Sequence, residues 1–268
     1  MQVSLIIATF NQSESLMLLL QSIEMQTIIP DEIIIADDGS GDEVKKVINE
    51  VQKNSFLKIK HSWQENLGFR AAKSRNKAIA KSNFDYIIMV DGDMILHPKF
   101  IQDHINNSKI GFYVQGSRAL LSEHHTNKIF ENAKKNKNFE ISFFSAGLGN
   151  RKNSIHSSFL SKFSDILNFN KDKLHSVRSC NIGFYKKDCI AVNGFNNKFE
   201  GWGREDSEFI LRLLNKGLKR KNVRFNLIQY HLWHNESSRE HLEKNTVMLD
   251  KAINNHSNWC DDGIDKYL

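Results

Sequence analysis

The stretch YIIMVDGDMIL, residues 86–96, runs five apolar residues into Asp-Gly-Asp and out into three more. An unbroken apolar run of this kind, without helical spacing, reads as a strand buried on both faces. Three earlier stretches have the same character: QVSLIIATF (2–10), DEIIIADDGS (31–40) and the shorter LKIKHSWQE (57–65). Between them lie helical patterns at NQSESLMLLLQSIEMQ (11–26), DEVKKVINEVQKN (42–54) and GFRAAKSRNKAIAKS (68–82). Asn11 or Ser13 is the expected N-cap of the first helix. This βαβαβαβ alternation predicts an α/β fold: a Rossmann-like, mainly parallel sheet with helices on both faces.

In such sheets ligands bind outside the carboxyl ends of the strands. Three of the expected strands end in polar residues: Thr9 and Asn11, then Asp37 and Asp38, then Asp91 and Asp93. A sheet with a purely structural role has no need of that convergence.

The second half of the chain is less regular. Residues 103–175 are rich in Asn, Ser, Lys and His, and are expected to form helices and long loops. Beyond them the sequence reads as a strand, a short helix, a turn and a loop, then a helix from about Glu205 to Lys216 stopped by Gly217. VRFNLIQYHLWH (223–234) reads as a further strand, followed by a polar tail.

The 268-residue chain is long enough for one large core and carries a net charge of +6. Its basic residues are scattered in short runs, at 45–46, 133–138 and 216–221, so no nucleic-acid partner is expected. An anionic substrate or an anionic membrane surface suits the balance as well. No signal peptide and no bilayer-spanning run is read. The three cysteines, Cys180, Cys189 and Cys260, form no CxxC pair and their odd number argues against a disulfide framework. They read as small core residues in a cytoplasmic protein.

Four constellations could carry chemistry. Asp91 and Asp93, flanking Gly92, can turn two carboxylates toward one divalent ion and the phosphates it carries, although the same pattern alone suits an acidic turn. His231 and His234 lie three residues apart, a spacing that brings both imidazoles to one side only if the strand bends. With the acids they would make a mixed oxygen and nitrogen site, which suits Mn2+; an all-oxygen shell would suit Mg2+. GWGREDSEF (201–209) sets Trp202 between Gly201 and Gly203, then Arg204 before Glu205 and Asp206. A helix starting there would hold both carboxylates at its positive end and keep them ionised, and an ionised Asp206 could take a proton from an acceptor hydroxyl. Finally, NLGFRAAKSRN (66–76) groups Arg70, Lys73 and Arg75, either to neutralise a diphosphate or to pack against the acids of the neighbouring strand end.

Assembled in this order, the sequence resembles the inverting family 2 glycosyltransferases of the GT-A fold. The first-half motifs cover roughly residues 1–100. NIGFYKKDCIAVNGFNNKFEGWGREDSEF and HLWHN in the second half resemble the β-1,4-galactosyltransferases and the chondroitin-polymerase-type transferases. The resemblance implies a nucleotide-sugar-binding half over 1–102 and an acceptor-binding, catalytic half over 103–268, in one continuous GT-A domain. It implies that Thr9, Asn11, Asp38, Arg70, Arg75, Asp91 and Gly203 contact a UDP-sugar donor, with Asp38 near the uracil. It gives Asp93, His231 and His234 the metal, Mn2+ or Mg2+, and Asp206 the role of catalytic base. Glu205, Trp202 and Arg204 fall to the acceptor side, Trp202 on a loop that closes over the donor. The family often has Gly where Arg204 stands and a further acid where Ser207 stands, so acceptor chemistry does not carry over.

The implied activity is metal-dependent, inverting transfer of a hexose or N-acetylhexosamine to a glycan or glycolipid acceptor. Bacterial surface polysaccharide or lipooligosaccharide synthesis is its expected setting, with peripheral association at the cytoplasmic face of the inner membrane. Rival readings are a UDP-sugar hydrolase and a non-catalytic nucleotide-sugar-binding module. A nucleotidyltransferase would want a Gly-rich loop after the first strand, and ATFNQSES (8–15) has none.

Overall fold

A computed structural model describes residues 1–136, 141, 145, 147–167, 174, 177–236 and 238–268. The chain begins with the expected alternation: β1 (Val3–Thr9), α1 (Ser13–Glu24), β2 (Glu32–Asp37), α2 (Asp42–Asn54), β3 (Ile59–Trp63), α3 (Ala71–Ala80) and β4 (Tyr86–Asp91). It continues through β5 (Met94–Leu96), α4 (Phe100–Asn107), β6 (Phe112–Gln115), β7 (Ala119–Leu121), α5 (Glu123–Asn136), β8 (Leu148–Gly149) and α6 (Ser158–Leu167). The last elements are β9 (Asn181–Tyr185), α7 (Lys186–Ile190), α8 (Glu205–Asn215), β10 (Lys219–Asn222), β11 (Gln229–His231) and α9 (Leu242–Asn254).

Seven strands form the main sheet in the order β10-β6-β9-β4-β1-β2-β3. All its pairings are parallel except those of β9, which runs antiparallel to both β4 and β6. The sheet draws strands from both sides of residue 102. Alternate residues of the central strands face opposite cores, as a two-residue side-chain period requires. Leu5, Ile7, Ile33, Ile35, Ile88 and Val90 pack with the apolar stripes of α1 and α2. Ile6, Ile34, Ile87 and Met89 pack with α3 and α8 on the other side. The two-sided burial accounts for the unbroken apolar runs in the sequence.

The single strand expected over 86–96 is in fact two. The chain turns at Asp91-Gly92-Asp93, and β5 leaves the main sheet for a second one, ordered β5-β11-β7-β8. Gly92 makes the turn possible: its N–H donates to the Ala8 carbonyl at 2.7 Å, and a Cβ there would lie 2.9 Å from Thr9 Oγ1. Only glycine lets the turn close onto the end of β1.

Other expectations need correction. Among the described residues of 103–175 there are three strands, β6, β7 and β8, which are too short to show a period in sequence. The strand expected over 223–234 is confined to Gln229–His231, and the polar tail contains α9, packed against α8. Neither Asn11 nor Ser13 caps α1; Gln12 holds that position without a side-chain bond. Asn11 instead takes φ +51°, accepts from the Gly41 N–H at 3.0 Å and donates its own N–H to Ser40 Oγ at 2.9 Å, tying the β1 and β2 exits together.

Candidate active site and metal centre

Two strand pairings build the first cluster. β11 runs antiparallel to β5 with His231 opposite Met94, which sets His231 beside Asp93. The chain then leaves the strand, held by the Leu232 N–H on the Asp93 carbonyl at 2.9 Å, and bends so that His234 returns to the same carboxylate. The bend that the three-residue spacing demanded is therefore present. Asp93 Oδ2 lies 3.0 Å from His234 Nε2 and 3.5 Å from His231 Nε2, with the imidazole centroids 5.0 Å apart.

One possible ligand atom from each of the three residues falls within 4.8 Å of the others. Burial alone would raise the Asp93 carboxyl, yet the hydrogen bonds from both histidines hold it well below the usual carboxylate range. His234 Nδ1 is 2.7 Å from the Asn235 carbonyl, which can only accept, so Nδ1 carries a proton and Nε2 is the nitrogen facing Asp93. The hydrogen bond to Asp93 pushes His234 up to about 9, so the site already favours positive charge. Asp93 Oδ1 is buried and has no hydrogen-bond partner. Two imidazoles, one oriented by a carbonyl, and an orphaned carboxylate oxygen fit a borderline divalent cation such as Mn2+.

The second cluster joins the acids of the β4 exit to those of the α8 start. Arg75, almost fully buried on α3, donates to Glu205 Oε1 at 2.9 Å and lies 3.3 Å from Asp91 Oδ1. Of the two sequence readings for the 66–76 helix, Arg75 thus follows the one that packs against acids. Asp206 accepts from the Ser179 N–H at 3.1 Å through Oδ2 and from the Ser207 N–H at 3.0 Å through Oδ1.

The expectation that the helix start keeps Asp206 fully ionised is corrected. Burial, followed by repulsion from Glu205, raises its carboxyl to about 7 despite Arg75 and the Ser179 amide. Burial also raises Asp91, with Asp93 adding to it and Arg75 opposing.

The third element is the loop over Gly201–Arg204. Gly201 and Gly203 both have positive φ, and a Cβ on Gly201 would lie 2.6 Å from the His241 ring. The loop is pinned rather than free: Gly201 N–H donates to the Phe69 carbonyl at 2.9 Å, and Asn245 Nδ2 donates to the Glu200 and Gly203 carbonyls. Trp202 is exposed, with the Arg239 guanidinium 5.4 Å from its ring centroid. Arg70 reaches Glu200 at 3.2 Å, and a cavity of about 270 Å³ lies between the 67–70 loop and Trp202, away from the Asp93 cluster. Arg204 has φ +78° at the N-cap of α8, a backbone region where glycine is at ease, and its Nε donates to Thr246 Oγ1 on α9 at 3.2 Å.

The remaining predicted residues line the exits of β1 and β2. Thr9 is buried against Gly92 with Oγ1 unpartnered. Asp38 accepts from Gln64 Nε2 and from the Arg70 N–H, each at 2.6 Å, so it fastens the 64–70 loop. Three contributors were missed in sequence. Ser179 supplies its amide to Asp206, Arg239 covers Trp202, and Arg118 contributes positive charge felt by Asp91 and His234. None of the three lies within a motif quoted from the sequence, and only the tertiary fold brings them in.

Comparison with known proteins gives concordant matches. The profile of glycosyl transferase family 2 matches residues 4–162, and a profile described as the N-terminal domain of galactosyltransferase matches residues 162–235. Chondroitin synthase of Escherichia coli is 27% identical over 229 residues, covering 82% of this chain and 33% of that protein. Hyaluronan synthase of Pasteurella multocida is 24% identical over 223 residues, covering 80% and 23%. The chain thus spans a third or less of the length of these two relatives. Among solved structures, S. aureus TarS 1–349 in complex with UDP-GlcNAc aligns with a TM-score of 0.61 at 15% identity, over 100% of this chain and 69% of that one. The mannosyltransferase PcManGT from Pyrobaculum calidifontis, in complex with GDP-Man and Mn2+, aligns with a TM-score of 0.62 at 13% identity, over 94% and 64%. At such identities the likeness speaks for the fold, and the fold is GT-A as expected.

Proposed function

The chain belongs to glycosyl transferase family 2, and from that premise we propose that it transfers a hexose or N-acetylhexosamine from a UDP-sugar to a glycan or glycolipid acceptor, with inversion. The observation that carries the reading is the continuity of the two clusters. Asp93, whose Oδ2 faces His231 and His234 and whose Oδ1 has no partner, is two residues from Asp91, and Arg75 links Asp91 to Glu205, the neighbour of Asp206. A donor-phosphate site and a proton-accepting site therefore share one wall.

In this account Asp93, His231 and His234 hold a divalent cation, Mn2+ or Mg2+, with the imidazoles favouring Mn2+. When bound, it neutralises charge building on the leaving diphosphate. Arg118 adds a fixed positive charge near the same place. Thr9, Asn11 and Asp38 shape the nucleoside side, Arg70 and Gly203 border the donor, and Asp91 approaches the ribose or the metal. Arg75 is assigned a positioning role, because its terminal nitrogens are engaged by Glu205 and Asp91.

Asp206 takes the proton of the acceptor hydroxyl as that oxygen bonds to the anomeric carbon and the bond to the diphosphate oxygen breaks. One displacement inverts the anomeric centre. Glu205, Trp202 and Arg204 face the acceptor. The nucleotide-binding half is 1–102 and the catalytic half 103–268. A cytoplasmic setting, with a membrane-face acceptor for surface-glycan synthesis, completes the proposal. A panel of UDP-sugars with Mn2+ or Mg2+, scored for UDP release with and without added saccharide acceptors, tests it. Acceptor-dependent release supports transfer; release with water alone supports a hydrolase, and binding without release a non-catalytic module.

A further inference from the structure

α6 is built inside out for a helix in water. Among its described side chains, Ser161 is buried, whereas Phe159 is 79% exposed, Phe163 55% and Leu160 39%. Residues at i, i+1 and i+4 share one arc of a helix, so the three form a contiguous apolar strip. Phe159 is the most exposed large hydrophobic side chain among the described residues. Scattered surface apolar residues need no explanation, but two adjacent phenylalanines and a leucine on one helical arc do.

The surroundings identify what would cover this strip. The short helical turn Arg151–Ser154 leads into α6, and Arg151, Lys152 and Lys162 are exposed. From 148 to the end of α6 at 167 the sequence carries these three cations and one acid, Asp165. Arg224, also exposed, precedes Phe225, whose carbonyl accepts from the Ser157 N–H at 2.9 Å at the start of α6. A second copy of this chain would bring the same cations against themselves, and an apolar protein groove offers them no counter-charge. An aromatic strip rimmed by cations is complementary to a bilayer surface carrying anionic headgroups, where rings enter the interface and lysines stay in the headgroup layer. No helix among the described residues is long and apolar enough to cross a membrane, so attachment through α6 would be interfacial.

We infer that α6 docks this protein on an anionic membrane surface through Phe159, Leu160 and Phe163, with Arg151, Lys152, Lys162 and Arg224 against the lipid headgroups. The inference rests on the membrane-face reading above and specifies the surface responsible.

The test is co-sedimentation with vesicles of equal parts phosphatidylglycerol and phosphatidylcholine, against vesicles of phosphatidylcholine alone. The wild-type protein is expected to bind the anionic vesicles and to be weakened by salt. The double substitution Phe159→Ser with Phe163→Ser should lower partitioning at least roughly tenfold, because both rings lose their apolar transfer into the interface. Lys162→Glu should weaken binding to the anionic vesicles only. UDP binding in the presence of Mn2+, together with circular dichroism, checks that each variant is folded and reports on the donor site independently. Wild-type protein that stays off the anionic vesicles overturns the membrane-face reading and this inference together. Variants that bind vesicles as the wild type does overturn the α6 assignment alone. Conversion of a wild-type dimer to a monomer by the double substitution, without vesicle binding, also overturns it and makes the strip a contact between copies.

Discussion

Asp93 Oδ2 lies 3.0 Å from His234 Nε2, while Asp93 Oδ1 is buried with no partner at all. The two histidines hold this carboxylate ionised through Oδ2 while Oδ1 keeps an unused acceptor, which a divalent cation would take up. Asp93→Ala or His234→Ala should therefore weaken Mn2+-dependent UDP binding by at least about 10–100-fold, the loss that even an outer-shell partner of a metal ligand causes. Titration calorimetry with and without chelator reads the effect. Equal UDP affinity in wild type and variants would remove the metal site from the account.

The Asp206 carboxyl, raised to about 7 by burial and by Glu205, acts as a base only when ionised. Transfer should therefore fall as pH drops through about 7, rather than near 4 as for an ordinary carboxylate. Glu205→Gln removes the like charge and should move this acidic limb of kcat/KM to lower pH, whatever it does to the maximum. A limb that stays in place would show that another group titrates.

Arg204 is held at φ +78°, where an L side chain is strained by about 1–2 kcal/mol. Arg204→Gly should relieve that strain and raise stability by about 1 kcal/mol in urea unfolding, even though the Thr246 contact is lost. Lower acceptor affinity in the same variant would explain why arginine stands there. A destabilised Arg204→Gly protein would mean that the Thr246 contact outweighs the strain.

The parallel sheet was legible because its central strands are buried on both faces, so their middles, such as 5–8 and 33–36, are apolar throughout. The break at Gly92 was not, since it depends on Thr9, a residue more than eighty positions earlier. β6, β7 and β8 have four, three and two residues, too few to display alternation. Asp93, His231 and His234 could be proposed as one group from residue type, and the β5–β11 pairing supplies the reason they meet. The charge state of Asp206 escaped sequence reading because the helix start is local, whereas its surroundings are set by the fold: burial and Glu205 raise the carboxyl, and Arg75 and the Ser179 amide oppose them. Ser179, Arg118 and Arg239 carry no motif and reach the site only through the fold.

The most direct test of the account is Asp206→Asn, measured for sugar transfer and for UDP binding in Mn2+ on the same preparation. The substitution keeps the shape and an oxygen for the Ser179 amide while removing the base. The account predicts that transfer falls by about 10²–10⁴-fold, the usual worth of a general base, with UDP affinity nearly unchanged. Transfer at the wild-type rate would contradict it.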